Sequence, residues 1–308
     1  MKAVQLTKLD GGKGVFINDV DKPRLDDDRM LVEVHEAGVN PFDWKIRDAG
    51  GMGAPLPATL GGDFAGVVSD MGKNVAGFKP GDQVYGMAGF FNGGTGSFAE
   101  YDLIDPKTAA LKPASINETE AGALPLAGVM AVQALTEIFK LAEGQKLLIQ
   151  GGAGGIGSIA IQIATHQCAY VAVTCGKEEI GYVTELGADE AIDFRTQRFE
   201  DMIHDYDAVY DLVGGDVFRR SFKVIRPGGM IVSSLENPDE GLMQKHQVKA
   251  IYQHFDITTD RLNKLAQLVD EGVVKVHVEK TFPLDATGEA MTFLETVHPK
   301  GKVVINVK

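Results

Sequence analysis

The sequence predicts an α/β fold, in which a doubly wound parallel sheet follows an irregular β-rich region that the chain's tail rejoins. Three observations carry this. From Lys146 onward, short apolar runs alternate with helical stretches; the first of those runs opens into a glycine-rich turn; and the residues before Pro113 show neither feature. Six strands alternating with helices give a parallel sheet with right-handed crossovers, because a parallel neighbour is reached only by crossing over a face of the sheet.

The elements justify this in order. Met1 to Thr7 reads as a strand, and Met30 to Val39 alternates as a half-buried strand does. Gly66–Ser69, Gln83–Tyr85 and Ser97–Tyr101 are further short strand candidates, punctuated by Gly61-Gly62, Gly72, Pro80-Gly81 and Gly93-Gly94. Ala121 to Leu141 carries apolar residues at helical spacing. The strands of the parallel sheet are expected at Lys146–Gln150, Tyr170–Thr174, Glu190–Ile192, Asp207–Leu212, Gly229–Ser234 and Lys249–Tyr252. Helices are expected between them at Ile156–Thr165, Glu178–Leu186 and Val217–Val224, and an amphipathic helix at Thr258–Glu271. The tail returns to β character at Val273–Val278 and Lys302–Val307, around a helix near Asp285–Thr296. A chain of 308 residues is comfortable as two domains. The expected division is a β-rich domain over 1–122, completed by 272–308, and a dinucleotide-binding domain over 123–271.

Charge narrows the function classes. A net charge of −13 argues against nucleic acid and against anionic lipid, both of which need a basic face. No run approaches the roughly 18 apolar residues of a membrane span, and the N-terminus has no basic segment followed by an apolar core, so a cytoplasmic location is expected. The two cysteines, Cys168 and Cys175, form no CxxC pair and read as two buried, reduced thiols.

The sharpest local signal is the run from Leu147 to Ser158, which holds GxGxxG as Gly152, Gly154 and Gly157 between an apolar strand and an Ala/Ile-rich helix. Gly152 is expected to make the tight turn, Gly154 to let backbone approach a pyrophosphate, and Gly157 to let helix pack on strand. Gly155 and Ile156 belong to the same helix start, whose free N–H groups hold phosphate charge. NAD-specific sheets carry an acid at the tip of the second strand, roughly 20 residues on. Here the tip reads Val173-Thr174-Cys175-Gly176-Lys177. With no carboxylate there, Thr174 and Lys177, and Tyr182 further along, are candidates to bond a 2′-phosphate, and NADPH is the favoured cofactor. The alternative is that Lys177 is only a solvated charge. Glu178-Glu179 read as first-turn residues favoured by the helix dipole.

The sequence resembles the medium-chain dehydrogenase/reductases, and within them the zinc-independent quinone oxidoreductase and enone reductase group. The resemblance rests on Ala37–Lys45, Leu60–Val68, Phe78–Val84, Ala123–Gly128 and the glycine-rich turn, then on Leu186–Asp189, Asp211–Gly215 and Gly301–Val304. It implies a GroES-like catalytic domain, a Rossmann domain and a homodimer, with Lys249–Tyr252 as the edge strand that pairs. It also places Val213, Leu235 and Lys302 among the cofactor-binding positions.

Zinc-dependent relatives place a Cys before the segment matching Pro41–Asp43 and a His in the one matching Gly62-Asp63. Neither is present here, and His35 reads as a core or surface residue. A catalytic zinc needs about three protein ligands, so no metal is expected and alcohol oxidation is disfavoured. Asn40 matches a contact to the nicotinamide ribose or substrate oxygen, Asp43 an acid on the nicotinamide side, and Lys45 a ribose contact or proton relay. Asp43 reads equally as a helix cap, and Lys45 as a surface charge. Met130 departs from the Thr that many relatives carry, and Trp44, Phe90 and Phe91 are candidates to wall an apolar site. The implied activity is hydride transfer from NADPH to a small-molecule quinone or α,β-unsaturated carbonyl. The alternatives are a zinc-free carbonyl reductase of the same fold and a non-catalytic NADPH-binding sensor.

Overall fold

In the computed structural model, residues 1–8, 15–49, 56–89 and 95–308 are described. They form two compact units: Met1–Val129, Ile257–Gly272 and Val276–Lys308 make the first, and Met130–Asp256 with Val273–Lys275 the second. Among the described residues no helix is long and apolar enough to cross a membrane.

In the first unit, β1 (Lys2–Leu6), β2 (Val15–Asp19), β3 (Met30–Val39), β4 (Ala58–Thr59), β5 (Asp63–Met71), β6 (Gln83–Met87), β7 (Tyr101–Ile104) and β8 (Ala109–Leu111) come first in the chain. The second unit holds β9 (Lys146–Gln150), β10 (Tyr170–Cys175), β11 (Glu190–Asp193), β12 (Tyr206–Asp211), β13 (Ile225–Ser233) and β14 (Lys249–Tyr252). The tail adds β15 (Val278–Pro283) and β16 (Lys302–Asn306) to the first unit. The helices are α1 (Pro41–Ala49), α2 (Glu118–Ala123), α3 (Pro125–Val132), α4 (Gly155–His166), α5 (Ile180–Glu185), α6 (Gly215–Ser221), α7 (Glu240–His246), α8 (Thr259–Asp270) and α9 (Thr287–Val297).

The first unit is mostly antiparallel. A large sheet runs β15-β16-β3-β5-β6-β8, with β7 also paired to β3, and a small one runs β2-β1-β4. The ten residues of β3 are its spine, mostly buried because both faces are covered. Val32, Val34, Phe64, Phe98, Val303 and Ile305 sit in one apolar cluster with them. Pairing of β16 with β3 sets Val303 opposite Val39, which brings Lys302 to the start of α1. Arg47 ties α1 to α9, donating to Asp48 at 2.6 Å and Glu295 at 3.0 Å.

The second unit is one parallel sheet in the order β11-β10-β9-β12-β13-β14. The chain runs outward from β9 in one direction, then returns to β12 and runs outward in the other. The switch point therefore lies between the carboxyl ends of β9 and β12, where such sheets bind ligands.

Four expectations need correction. The helix expected over 121–141 is three pieces: α2 ends before Pro125, whose missing N–H breaks the ladder, and after α3 a π-helical stretch over Gln133–Phe139 ends at a left-handed Lys140. Residues 273–277 are not a strand, because Gln162 takes the Lys275 backbone, accepting from its N at 2.8 Å and donating to its O at 3.0 Å. The strand expected at Ser97 begins only at Tyr101, since Phe98 N bonds Leu60 O at 2.9 Å across a turn, leaving an isolated bridge at Ala99. The unit boundaries also move: residues 123–129 and 257–271 belong to the first unit rather than the Rossmann domain. Packing explains this, because Leu265 fills the space over Gly128, and Tyr85 donates to Leu262 O at 2.6 Å.

Candidate active site

At the glycine-rich turn, β9 ends at Gln150 and the chain reverses at Gly151, whose φ of +77° is a left-handed conformation that a Cβ disfavours. The tight turn is thus made by Gly151 and not by Gly152. Gly152 is needed for another reason: a Cβ on it would lie 2.7 Å from Val173 Cβ on β10. A Cβ on Gly157 would lie 2.4 Å from Gly151 O, so α4 packs on the turn backbone to backbone. Gly154 differs, since the nearest atom to a Cβ there is Gly151 O at 3.7 Å. Among the described residues nothing crowds a side chain at that position, so the space beside the turn is open. Gly154 is also the N-cap of α4 and supplies no side-chain bond, so Gly155, Ile156 and Gly157 open the helix with N–H groups that no cap covers. That arrangement fits a pyrophosphate.

The tip of β10 is less simple than its sequence. Thr174 is buried; its Oγ1 donates to Gln150 Oε1 at 2.7 Å and accepts from Gly151 N at 3.1 Å. It braces the turn from within and is not on the rim where a 2′-phosphate would be met. Lys177 is exposed at that rim, and Tyr182 is half-buried one step on in α5. Glu178 is held by Arg195 at 2.8 Å, which offsets the acidic charge beside Lys177. Arg195 reaches the tip from the end of β11, a cation that no local pattern around Lys177 reveals. Cys175 is buried and its thiol is pushed up to about 11 by that burial, so it is inert, whereas Cys168, expected to be buried as well, is exposed in the turn after α4. Val213 and Leu235 stand exposed just beyond the ends of β12 and β13.

In the first unit, Asn40, Asp43, Asp63 and Lys302 form a buried polar cluster. Asn40 Nδ2 donates to Asp63 Oδ2 at 2.9 Å, and Asn40 Oδ1 accepts from Lys302 Nζ at 2.5 Å. Lys302 also donates to Val39 O and to Asp63 Oδ2, each at 3.3 Å. Asp63 Oδ1 accepts from Leu126 N at 2.9 Å. Asp43 Oδ2 accepts from Asn40 N at 2.7 Å, while its Oδ1 is buried with no partner among the described residues. Burial holds the Asp43 carboxyl well above the usual carboxylate range, and the nearby Asp63 charge adds to this. Asp63 is raised by burial as well, but the Lys302 ammonium and the Asn40 amide pull against it. Both carboxyls are thus pushed toward the protonated form by burial, and only Asp63 has the Lys302 ammonium directly bonded to it to oppose that.

Residues 26–114 match the alcohol dehydrogenase GroES-like domain, and residues 186–305 match the zinc-binding dehydrogenase domain. A 2-methylene-furan-3-one reductase from Solanum lycopersicum is 35% identical over 94% of this chain and 74% of its own length. An NADPH-dependent alkenal/one oxidoreductase from Arabidopsis thaliana is 35% identical over 92% and 73%. A quinone oxidoreductase structure from Coxiella burnetii superposes with a TM-score of 0.93 at 32% identity, covering 100% of this chain and 99% of that one. The chain belongs to the medium-chain dehydrogenase/reductases, in their quinone and enone reductase branch.

In this medium-chain reductase, the residues expected at the site separate into groups. Asn40, Asp43 and Lys302 come together, and Asp63, visible in sequence only as part of a glycine-rich stretch, completes the cluster. Lys302 is buried, and its ammonium donates to Asn40, Asp63 and Val39. Lys45 is exposed, 5.6 Å over the Trp44 ring, and has no bond to the cluster, which matches the surface-charge alternative. His35 is neither plain core nor plain surface but pairs with Glu118 at 2.8 Å. Phe90 and Phe91 lie outside the described residues. Among the described residues, no group of three or more His, Cys, Asp or Glu side chains is arranged to hold a metal.

Proposed function

We propose that the protein reduces quinones or α,β-unsaturated carbonyls with NADPH and without zinc. The observation that carries this is Gly154, a glycine with space around it at the switch point of a doubly wound sheet. The pyrophosphate is assigned to Gly154, Gly155, Ile156 and Gly157, the 2′-phosphate to Lys177 with Tyr182 beside it, and the ring end to Val213 and Leu235. Bound there, NADPH supplies a hydride. The chain's own residues orient and polarise. Lys302 and Asp63 fix both ends of the Asn40 amide, so its remaining N–H is set without reorganisation toward an oxygen on which negative charge develops. Burial holds the Asp43 carboxyl well above the usual carboxylate range, which favours its protonated form. Water completes the protonation of product.

Steady-state NADPH oxidation with a panel of 1,4-quinones and small enones tests the reading. Turnover on the panel with no oxidation of simple primary alcohols is expected; efficient alcohol oxidation alone overturns it. Zinc is expected below stoichiometry by elemental analysis, and activity lost to a chelator and restored by zinc refutes that part. The same reading gives a homodimer through β14, an edge strand of the second unit's sheet, checked by light scattering. It also gives a reducing, cytoplasmic setting, supported by the free thiols of Cys168 and Cys175.

A further inference from the structure

The loops that follow β12 and β13 are joined by a ring of hydrogen bonds that the dinucleotide turn does not need. Asp211, fully buried at the end of β12, accepts at Oδ1 from Val213 N at 3.2 Å and Gly214 N at 3.0 Å. Its other oxygen accepts from Ser233 Oγ at 2.7 Å, at the end of β13. Ser233 Oγ in turn accepts from Leu235 N at 3.1 Å and Glu236 N at 3.0 Å. The Glu236 carboxylate then returns to the first loop, where it accepts from Gly215 N at 2.7 Å. Each loop is thus folded by the side chain that ends its own strand, and two side-chain bonds, Ser233 to Asp211 and Gly215 to Glu236, join them beside the backbone bond from Ser234 N to Asp211 O.

The packing is as close as the bonding. A Cβ on Gly214 would lie 3.2 Å from both Leu235 Cβ and Glu236 Oε1. On the other side, a Cβ on Gly151 would lie 3.2 Å from Val213 Cγ2, so the ring also abuts the glycine-rich turn. What the ring displays is apolar. Val213 is 48% exposed and Leu235 44%, although nothing local obliges either loop to put an aliphatic side chain into water. Buried polar groups that hold exposed apolar ones in place are what a binding surface needs.

We propose that Asp211, Ser233 and Glu236 are positioning residues, whose ring sets Val213 and Leu235 on adjacent strand ends as an apolar shelf for the ring end of the dinucleotide. The inference rests on the NADPH reading above. It assigns the shelf's geometry to bonds between two loops rather than to either loop alone.

The test uses full-length Glu236→Ala, Glu236→Gln, Ser233→Ala and Ser233→Thr, with Gly154→Ala as a control. Binding is read by NADPH fluorescence titration, turnover by kcat and KM, and loop order by amide exchange over residues 212–216 and 234–237. Glu236→Ala and Ser233→Ala are expected to weaken NADPH by about tenfold and to lower kcat, with KM for the quinone little changed. Both loops should exchange faster in Glu236→Ala, though only one carries the substitution. Glu236→Gln and Ser233→Thr retain an acceptor and should stay within about twofold of wild type. Ser233 is buried and its alanine variant is at risk of misfolding; Glu236 is half-buried and keeps the test open. Glu236→Ala that binds NADPH like wild type, while Gly154→Ala loses it, overturns the ring and leaves the cofactor reading standing. A wild-type protein that binds no NADPH overturns both.

Discussion

The glycine-rich turn and the Asn40 cluster solve opposite problems. The turn presents backbone and open space: its key position, Gly154, matters because nothing in the protein fills it. The cluster presents side chains and no space: Asp43 and Asp63 are fully buried, and Lys302 and Asn40 nearly so. A backbone site is electrically neutral and tolerates pH; a cluster of buried charges is stable only while each has its partner. The turn thus leaves space beside exposed backbone N–H groups, whereas the cluster leaves none and fixes the Asn40 amide from both ends.

Four experiments put this contrast to the test. The largest effect is expected in the cluster. Lys302→Met leaves the Asp63 charge buried and unpaired, and should destabilise the protein by about 3–5 kcal/mol, read by denaturant unfolding; a loss under 1 kcal/mol, on the order of a surface ion pair, would mean the cluster is wetter than its burial indicates.

Next comes Gly154→Ala in the turn. Unfolding should be unchanged within about 0.5 kcal/mol, while NADPH binding weakens by about tenfold or more, roughly 1.4 kcal/mol. Loss of stability with binding retained would reverse the contrast between the two regions.

The third experiment concerns pH. Asp102 on β7 is fully buried, its Oδ2 has no partner among the described residues, and burial raises its carboxyl to about 7 although Thr95 and Leu103 N bond the other oxygen. A carboxyl raised in the folded state binds its proton more tightly there, so its contribution is present below the unfolded value of 3.8 and is lost as pH rises to about 7. Asp43 acts in the same direction. Wild type should therefore lose stability relative to Asp102→Asn across that window, by at most about 1.4 kcal/mol per pH unit. Parallel stability profiles for the two proteins would refute the assignment.

The smallest effect is expected at Lys45. It is exposed beside Trp44, so Lys45→Ala should change kcat/KM by no more than about twofold and stability by less than about 0.5 kcal/mol; a larger loss of rate returns Lys45 to the active site.

The regions also differ in how far they could be read from sequence. The turn was legible because its chemistry is local: strand, glycines and helix are contiguous, and each glycine answers a steric demand within a few residues. Even so, the left-handed position fell one residue earlier than expected, at Gly151, because φ is a property of the folded path and not of the GxGxxG spacing. Thr174 was legible as a polar residue at a strand tip but not as a buried brace, since burial depends on Gln150 beside it in the sheet. Arg195 and Glu236 were invisible, for each reaches its partner from a loop on another strand.

By itself, then, the sequence determined the alternation of strands and helices, the dinucleotide turn, and the absence of a family zinc set at Asn40 and Gly62. Those depend on periodicity and residue type, which are fixed along the chain. Only the tertiary structure decided that Lys302 clamps Asn40, that Lys45 stands apart, that α8 packs with the first unit, and that Asp211, Ser233 and Glu236 close a ring. Each of these joins residues distant in sequence or on separate strands, and their bonds exist only after strand pairing has brought them within hydrogen-bond reach, where burial then fixes which groups keep their charge.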